Sequence, residues 1–419
     1  MFRAALLHSD NYLVVINIEL FSGPLQEQES DIGEEAEVHL LEALSLLVSS
    51  ANSDRDRTAS EGTGPIVEQQ RERQQYQLVL LQQLLQVLTN QIHTLGAFML
   101  SQGGQYFTRM QAPSDEQGLP PAVRLLAHRI HNIASLCRGF GYRTYSCAVD
   151  VFESAFVSVF SALRLSDEAH SPLNFDAVKA KSVVLTHKML LAVGPRCLQL
   201  KIDDQPMLGV FLQALLLRSD LEYAPQLLNQ IMVEFNGAAL QLVVGLLPTM
   251  LDGLTRAGAD ADASSTVVTA DAPHMKLERA ALRRQLLLLL QHVCTHGCQA
   301  VFYCTPFHEQ YLQTTLDVTM SCMEGTVLCQ NPADADTSLL LPLQRAAMII
   351  ISSLSKAWLH PAEAAEPPVS AHLQDAFRNF LWAKAMPTIL RAICDAHIIN
   401  IRDANAQVSN TRTRFEYCQ

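Results

Sequence analysis

Between Tyr223 and Leu251 the chain reads YAPQLLNQIMVEFNGAALQLVVGLLPTML, with Glu234 its one charged residue. So apolar a run must be taken out of water, and what covers it limits the fold. A membrane is excluded as the cover, because a spanning helix needs about 20 continuous apolar residues. From Asn236 to Pro248 the run is shorter than that, and Gln241 interrupts it. Asn236-Gly237 reads instead as a helix stop and restart, since glycine accepts the left-handed backbone that ends a helix, and Pro248 reads as a kink. The spacing predicts two helices folded back on one another. Leu227, Leu228, Ile231, Met232 and Phe235 line the first, and Leu240, Val243, Val244, Leu247 and Leu251 the second. The second is apolar nearly all round, so other helices must cover it on more than one side.

The same pattern recurs. Leu78, Leu81, Leu85, Leu88, Ile92 and Leu95 form one helical stripe, and Leu343, Ala347, Ile350, Leu354 and Trp358 another. Hydrophobic residues make up 49% of the 419, against 6% aromatic and 17% charged, which fits a Leu/Ala/Val-rich helical mass and not a disordered chain. No alternating strand pattern is evident beyond YLVVINIEL at 12–20, whose role stays open. Polar breaks at 49–65, 112–121, 256–273 and 360–372 read as solvated loops.

Many helices joined by tight turns predict an all-α fold. The expected architecture is a HEAT-like α-solenoid of antiparallel helix pairs forming a superhelix, one continuous array over residues 1–419. Candidate helix starts near Glu222, Lys276 and Thr337 are more widely spaced than the roughly 40–47 residues of regular HEAT units, the insert at 256–273 supplying the excess. One or two compact helical bundles are the alternative.

The sequence contains no phosphate-binding GxxxxGK[ST], no dinucleotide GxGxxG, no GxSxG and no HExxH, so no enzyme and no cofactor are expected. His292, Cys294, His296, Cys298 and Cys304 have the donor types of a zinc site. Their spacing divides them between helix faces, so buried thiols behaving as small hydrophobes are expected instead of a metal. Ten cysteines without a disulfide framework, and an amino terminus whose apolar stretch is broken by charge, point to a reducing, intracellular compartment.

A net charge of -12 argues against non-specific coating of DNA, yet local cation groups could still hold phosphates. Lys276, Arg279 and Arg283 share a helix face, with Arg284 beside them. Lys181 and Lys188 form a second group, and Arg378, Lys384 and Arg391 lie on a third segment. No aromatic residues interleave with them to stack single-stranded bases, so any nucleic acid would be read through its backbone and shape.

The segments LEYAPQLLNQIMVEFNGAALQLVVGLLPTMLDGL, LERAALRRQLLLLLQHVCTHG, LPLQRAAMIIISSLSKAWL and FRNFLWAKAMPTILRAICDAHIINIRDANAQ, in this order, resemble the later half of the exportin-T family. These are tRNA export receptors of the karyopherin (importin-β-like) superfamily. LLHSDNYLVVINIEL and SLCRGFGYRTYSC extend the resemblance over most of the chain. It implies a HEAT-repeat receptor that binds mature tRNA together with Ran-GTP, passes nuclear pore proteins, and shuttles between nucleus and cytoplasm. Family members are longer, and their amino-terminal Ran-binding arch has no counterpart here, which implies part of a longer receptor. The resemblance also implies that Arg279, Arg283 and Arg284 stand at positions of a family helix. A HEAT-type protein-binding scaffold or another transport receptor without tRNA specificity is the alternative.

Overall fold

The computed structural model describes residues 3–9, 12–17, 33–53, 65–101, 120–141, 146–167, 169–217, 223–264, 272–304, 308–325, 337–359 and 369–394. They are predominantly α-helical, and the chain divides into two compact units, Met1–Arg218 and Ser219–Gln419.

The first unit opens on an antiparallel strand pair, β1 (Arg3–Ser9) and β2 (Tyr12–Asn17), with Ala4 opposite Ile16 and Leu6 opposite Val14. Six of the nine residues of YLVVINIEL therefore form a strand, and the residues before it supply its partner. Six helices follow: α1 (Glu34–Ser53), α2 (Pro65–Ser101), α3 (Pro121–Leu136), α4 (Ser146–Ala162), α5 (Asp176–Val193) and α6 (Met207–Leu217). Proline at the first position of α3 lacks only an N–H that would be unpaired there anyway. Gly194, at φ 68°, closes α5. Between α5 and α6 a second strand pair, β3 (Lys201–Ile202) and β4 (Gln205–Pro206), turns through Asp203 and Asp204. Both aspartates have positive φ, 51° and 64°, as a two-residue type I′ hairpin requires. The sequence reading did not anticipate this pair.

The helices of this unit lie in two rows. α3 packs against α1 on one side and α5 on the other, while α4 packs against α2 and α6; α2 also touches α3, and α4 touches α5. Phe152, Phe156 and Phe160 recur every four residues along α4 and are fully buried. Phe160 meets Phe211 of α6 edge-on at 4.9 Å, and Phe152 meets Phe140 at 5.1 Å, the offset contacts that aromatic rings favour. Of the predicted Leu stripe on α2, Leu81, Leu85, Leu88, Ile92 and Leu95 are buried and Leu78 is half-buried.

Just past α3 the chain passes so near α1 that a Cβ on Gly139 would lie 2.7 Å from the Ser45 carbonyl oxygen. The Gly139 N–H donates to Ser45 Oγ at 2.7 Å. Gly139→Ala is expected to cost about 1–3 kcal/mol, the usual range for overpacking, because backbone must move. A urea midpoint equal to that of the wild type would show that the approach is not tight.

The second unit holds α7 (Tyr223–Phe235), α8 (Leu240–Ser264), α9 (Ala272–Thr295), α10 (His308–Glu324), α11 (Thr337–Leu359), α12 (Ala371–Phe380) and α13 (Met386–Cys394). α12 and α13 join through a π-helical turn, Leu381–Ala385. Proline at 387 cannot donate to the carbonyl four residues back, and the ladder widens just before it, with the Met386 N–H reaching the Leu381 carbonyl. α7, α9, α11 and α12 pack in succession; α8 lies against α9, and α10 against α11 and α13.

By length and composition alone, Tyr223–Thr255 could cross a membrane. In the structure the 3-10 turn Asn236–Ala239 divides it, and the left-handed residue is Asn236, φ 49°, not Gly237 as the sequence reading proposed. α7 and α8 do not chiefly cover one another: both pack on α9. The expectation that α8 is covered nearly all round also needs correction. Val243, Leu246, Leu247, Met250, Leu251 and Leu254 are buried, but Gln241, Gly245 and Thr249 run exposed along the opposite face.

The expected loops are shorter than proposed. α1 runs to Ser53, α8 runs on to Ser264, α9 begins at Ala272, and α12 begins at Ala371. Residues 54–64, 265–271, 360–368 and most of 112–121 lie outside the described residues.

Candidate nucleic-acid interface

Of the three predicted cation groups, only the one on α5 gains neighbours that strengthen it. Lys181, Val184 and Lys188 follow one another along a face of α5, and His131, Ser135 and Arg138 along α3 and the turn after it. Packing of α3 between α1 and α5 brings these stripes together with Glu42 of α1. The result is a half-open cleft of about 130 Å³ lined by Glu42, His131, Ala134, Ser135, Arg138, Val184 and Lys188. Arg138 donates to Glu42 at 2.5 Å, and His39 approaches the same carboxylate at 3.8 Å. The Arg138 hydrogen bond is the main reason that the Glu42 carboxyl sits below the usual carboxylate range. Neither Lys181 nor Lys188 ion-pairs with any described residue, and both are half-buried.

Burial, followed by the charge of Lys181 and of His128, lowers the pKa of His131. His187 is likewise held down by burial and then by Lys188. Two lysines without an ion-pair partner among the described residues, beside histidines whose proton affinity is lowered, give a face with positive potential to spare, the electrostatic requirement for gripping a phosphate.

In the other groups two cations are already ion-paired. Arg378 donates to Asp375 on its own helix at 2.6 Å, and Lys384 approaches Asp317 of α10 at 3.4 Å. Arg391 is exposed, with no ion-pair partner among the described residues. On α9, Arg284 is exposed. Arg283 is half-buried, its Nε without a hydrogen-bond partner and its charge felt by the Cys322 thiol of α10. Arg283 and Arg284 therefore face different surroundings. Arg279 and Lys276 lie on α9, but their side chains fall outside the described residues.

The His292–Cys304 group serves as a clasp between two turns. His296 Nδ1 lies 3.0 Å from Asn236 Oδ1, and the Cys298 thiol donates to the Asn236 carbonyl at 3.6 Å. Gly237 and Gly297 lie side by side, a Cβ on Gly297 falling in ordinary contact at 3.4 Å from the Gly237 nitrogen, and Gly297 itself has a positive φ of 75°. His292 and His296 stack at 5.2 Å. Among the described residues no three His, Cys, Asp or Glu side chains converge as metal ligands. Burial pushes the Cys298 thiol up to about 11 and raises Cys294 further.

Comparisons with protein-family models, with curated proteins and with solved structures returned no match.

Proposed function

We propose that this chain is a helical receptor for a folded RNA of the tRNA type, in which the packed helices of each unit are stretches of a HEAT-like solenoid. The observation that carries the reading is the α3–α5 face, where Lys181 and Lys188 stand beside His131 without acidic partners among the described residues. Unlike the ion-paired Lys384, Arg378 and Arg138, these two lysines need not break an internal bridge to meet phosphate. In this reading the receptor does no chemistry. It binds tRNA together with Ran-GTP, passes nuclear pore proteins and releases its cargo in the cytoplasm. The continuity of the array over 1–419 belongs to the same proposal.

The test is binding of labelled mature tRNA at fixed salt, with and without Ran carrying a non-hydrolysable GTP analogue. The double variant Lys181→Glu, Lys188→Glu is expected to weaken binding about tenfold or more and to flatten the salt dependence by roughly two units of slope. Lys384→Glu with Arg391→Glu is expected to do much less. Equal loss from both pairs, or tRNA held no better than another RNA of equal charge, would overturn the reading.

A second reading, a protein-binding scaffold, is favoured by exposed apolar side chains. Trp382 is 63% exposed, and Leu390, two helical turns on, is 47% exposed. Aromatic side chains of this kind commonly anchor protein interfaces.

A further inference from the structure

We propose that the cleft between α1, α3 and α5 is a discrete phosphate-binding subsite, in which Lys188 and Arg138 hold the anion and His131 becomes protonated as it is occupied. As the place where an RNA backbone is gripped, the subsite rests on the receptor reading; as a phosphate site it stands on the cleft itself. The lining supplies what a tetrahedral anion needs at short range. Lys188 has no carboxylate partner among the described residues, Arg138 is held in place by Glu42, and Ser135, whose hydroxyl donates to the His131 carbonyl at 3.0 Å, lines the same wall. A volume of about 130 Å³ has room for one phosphate group and some of its waters. A contact to phosphate alone carries no base readout.

His131 lines the same cleft, and its Nδ1 is buried without a hydrogen-bond partner. The charges acting on it are Lys181 from α5, His128 from its own helix and Glu42 from α1. Burial first, and then the positive charges, hold its proton affinity down, while Glu42 works the other way. A phosphate arriving beside Lys188 adds negative charge at this point and favours the protonated imidazole, so binding draws a proton toward His131. Lys188 is the group that touches the anion without giving up a partner; Arg138, bridged to Glu42, can add only its remaining N–H donors, and His131 responds to the anion.

Inorganic pyrophosphate and mature tRNA, added separately to the full chain with isotope-labelled histidine, distinguish the two sources of phosphate. Pyrophosphate is expected to move the His131 titration upward, and Lys188→Gln to weaken pyrophosphate binding about tenfold. Lys179→Gln removes the same charge from the same helix outside the cleft, where Lys179 pairs with Asp176, and is expected to leave binding intact. An unchanged His131 titration in saturating pyrophosphate, or equal loss from the two lysine variants, overturns the subsite. A His131 shift with pyrophosphate but no tRNA binding keeps the subsite and removes the RNA reading.

Discussion

Trp358→Ala is expected to destabilise the second unit by about 3–5 kcal/mol, the cost of deleting a large aromatic side chain from a closed core. Trp358 is fully buried on α11, edge-on to Phe377 of α12 at 4.9 Å and to Tyr303 at 6.3 Å. Removing it unpins α12 as well as opening a cavity. Its indole Nε1 has no hydrogen-bond partner, so Trp358→Phe gives up ring area without losing a bond, and is expected to recover much of the stability. Amide hydrogen exchange checks both. Protection should fall in α11 and α12 of the alanine variant and largely return in the phenylalanine variant. Unchanged protection in α12 would show that the aromatic contact does not hold that helix. The variant also leaves Trp382 as the chain's remaining tryptophan, and its exposure makes red-shifted emission the expected baseline.

The Trp358 stripe was legible because helical spacing is a local property. Leu343, Ala347, Ile350, Leu354 and Trp358 are all buried, as their four- and three-residue steps demand. The break at Asn236-Gly237 was also legible, though its left-handed residue was not. Asparagine tolerates that conformation, and here its side chain is held by His296, some sixty residues away. The β3–β4 turn gave a weak signal, two aspartates in place of the usual Asn-Gly. Which helices cover which was not legible at all: nothing local says that α7 and α8 both rest on α9.

The candidate site follows the same rule. Lys181 and Lys188 were visible as a pair on one face, but His131, Arg138 and Glu42 lie on other helices and join them only through packing of α3. Arg378 could have been discounted from sequence, since Asp375 stands three residues before it, at a spacing that favours ion pairs on a helix. Lys384 could not, because Asp317 comes from a distant helix.

Glu37→Ala is the second large expected loss, about 3–5 kcal/mol at neutral pH, because it strands charge in the α1–α3 seam. Glu37 accepts from Arg129 at 2.5 Å and lies 2.6 Å from His128 Nε2, and Asn132, fully buried, reaches the same imidazole nitrogen at 3.3 Å. Burial by itself would raise the Glu37 pKa, but the His128 hydrogen bond and the Arg129 charge outweigh it, and the net direction is down. A carboxylate depressed in the fold contributes stability that is present above its unfolded value, ordinarily 4.5, and is lost as pH falls through the lower folded value. The gap between wild type and Glu37→Ala should therefore be widest near neutrality and narrow below pH 4.5. Thermal melts across that range give the measurement; a gap independent of pH would mean that Glu37 acts by packing alone. Pairing Glu37→Leu with Arg129→Met removes both charges at once, and recovery of most of the lost stability would assign the cost to the stranded guanidinium, since replacing a buried ion pair by apolar groups of similar volume is often neutral.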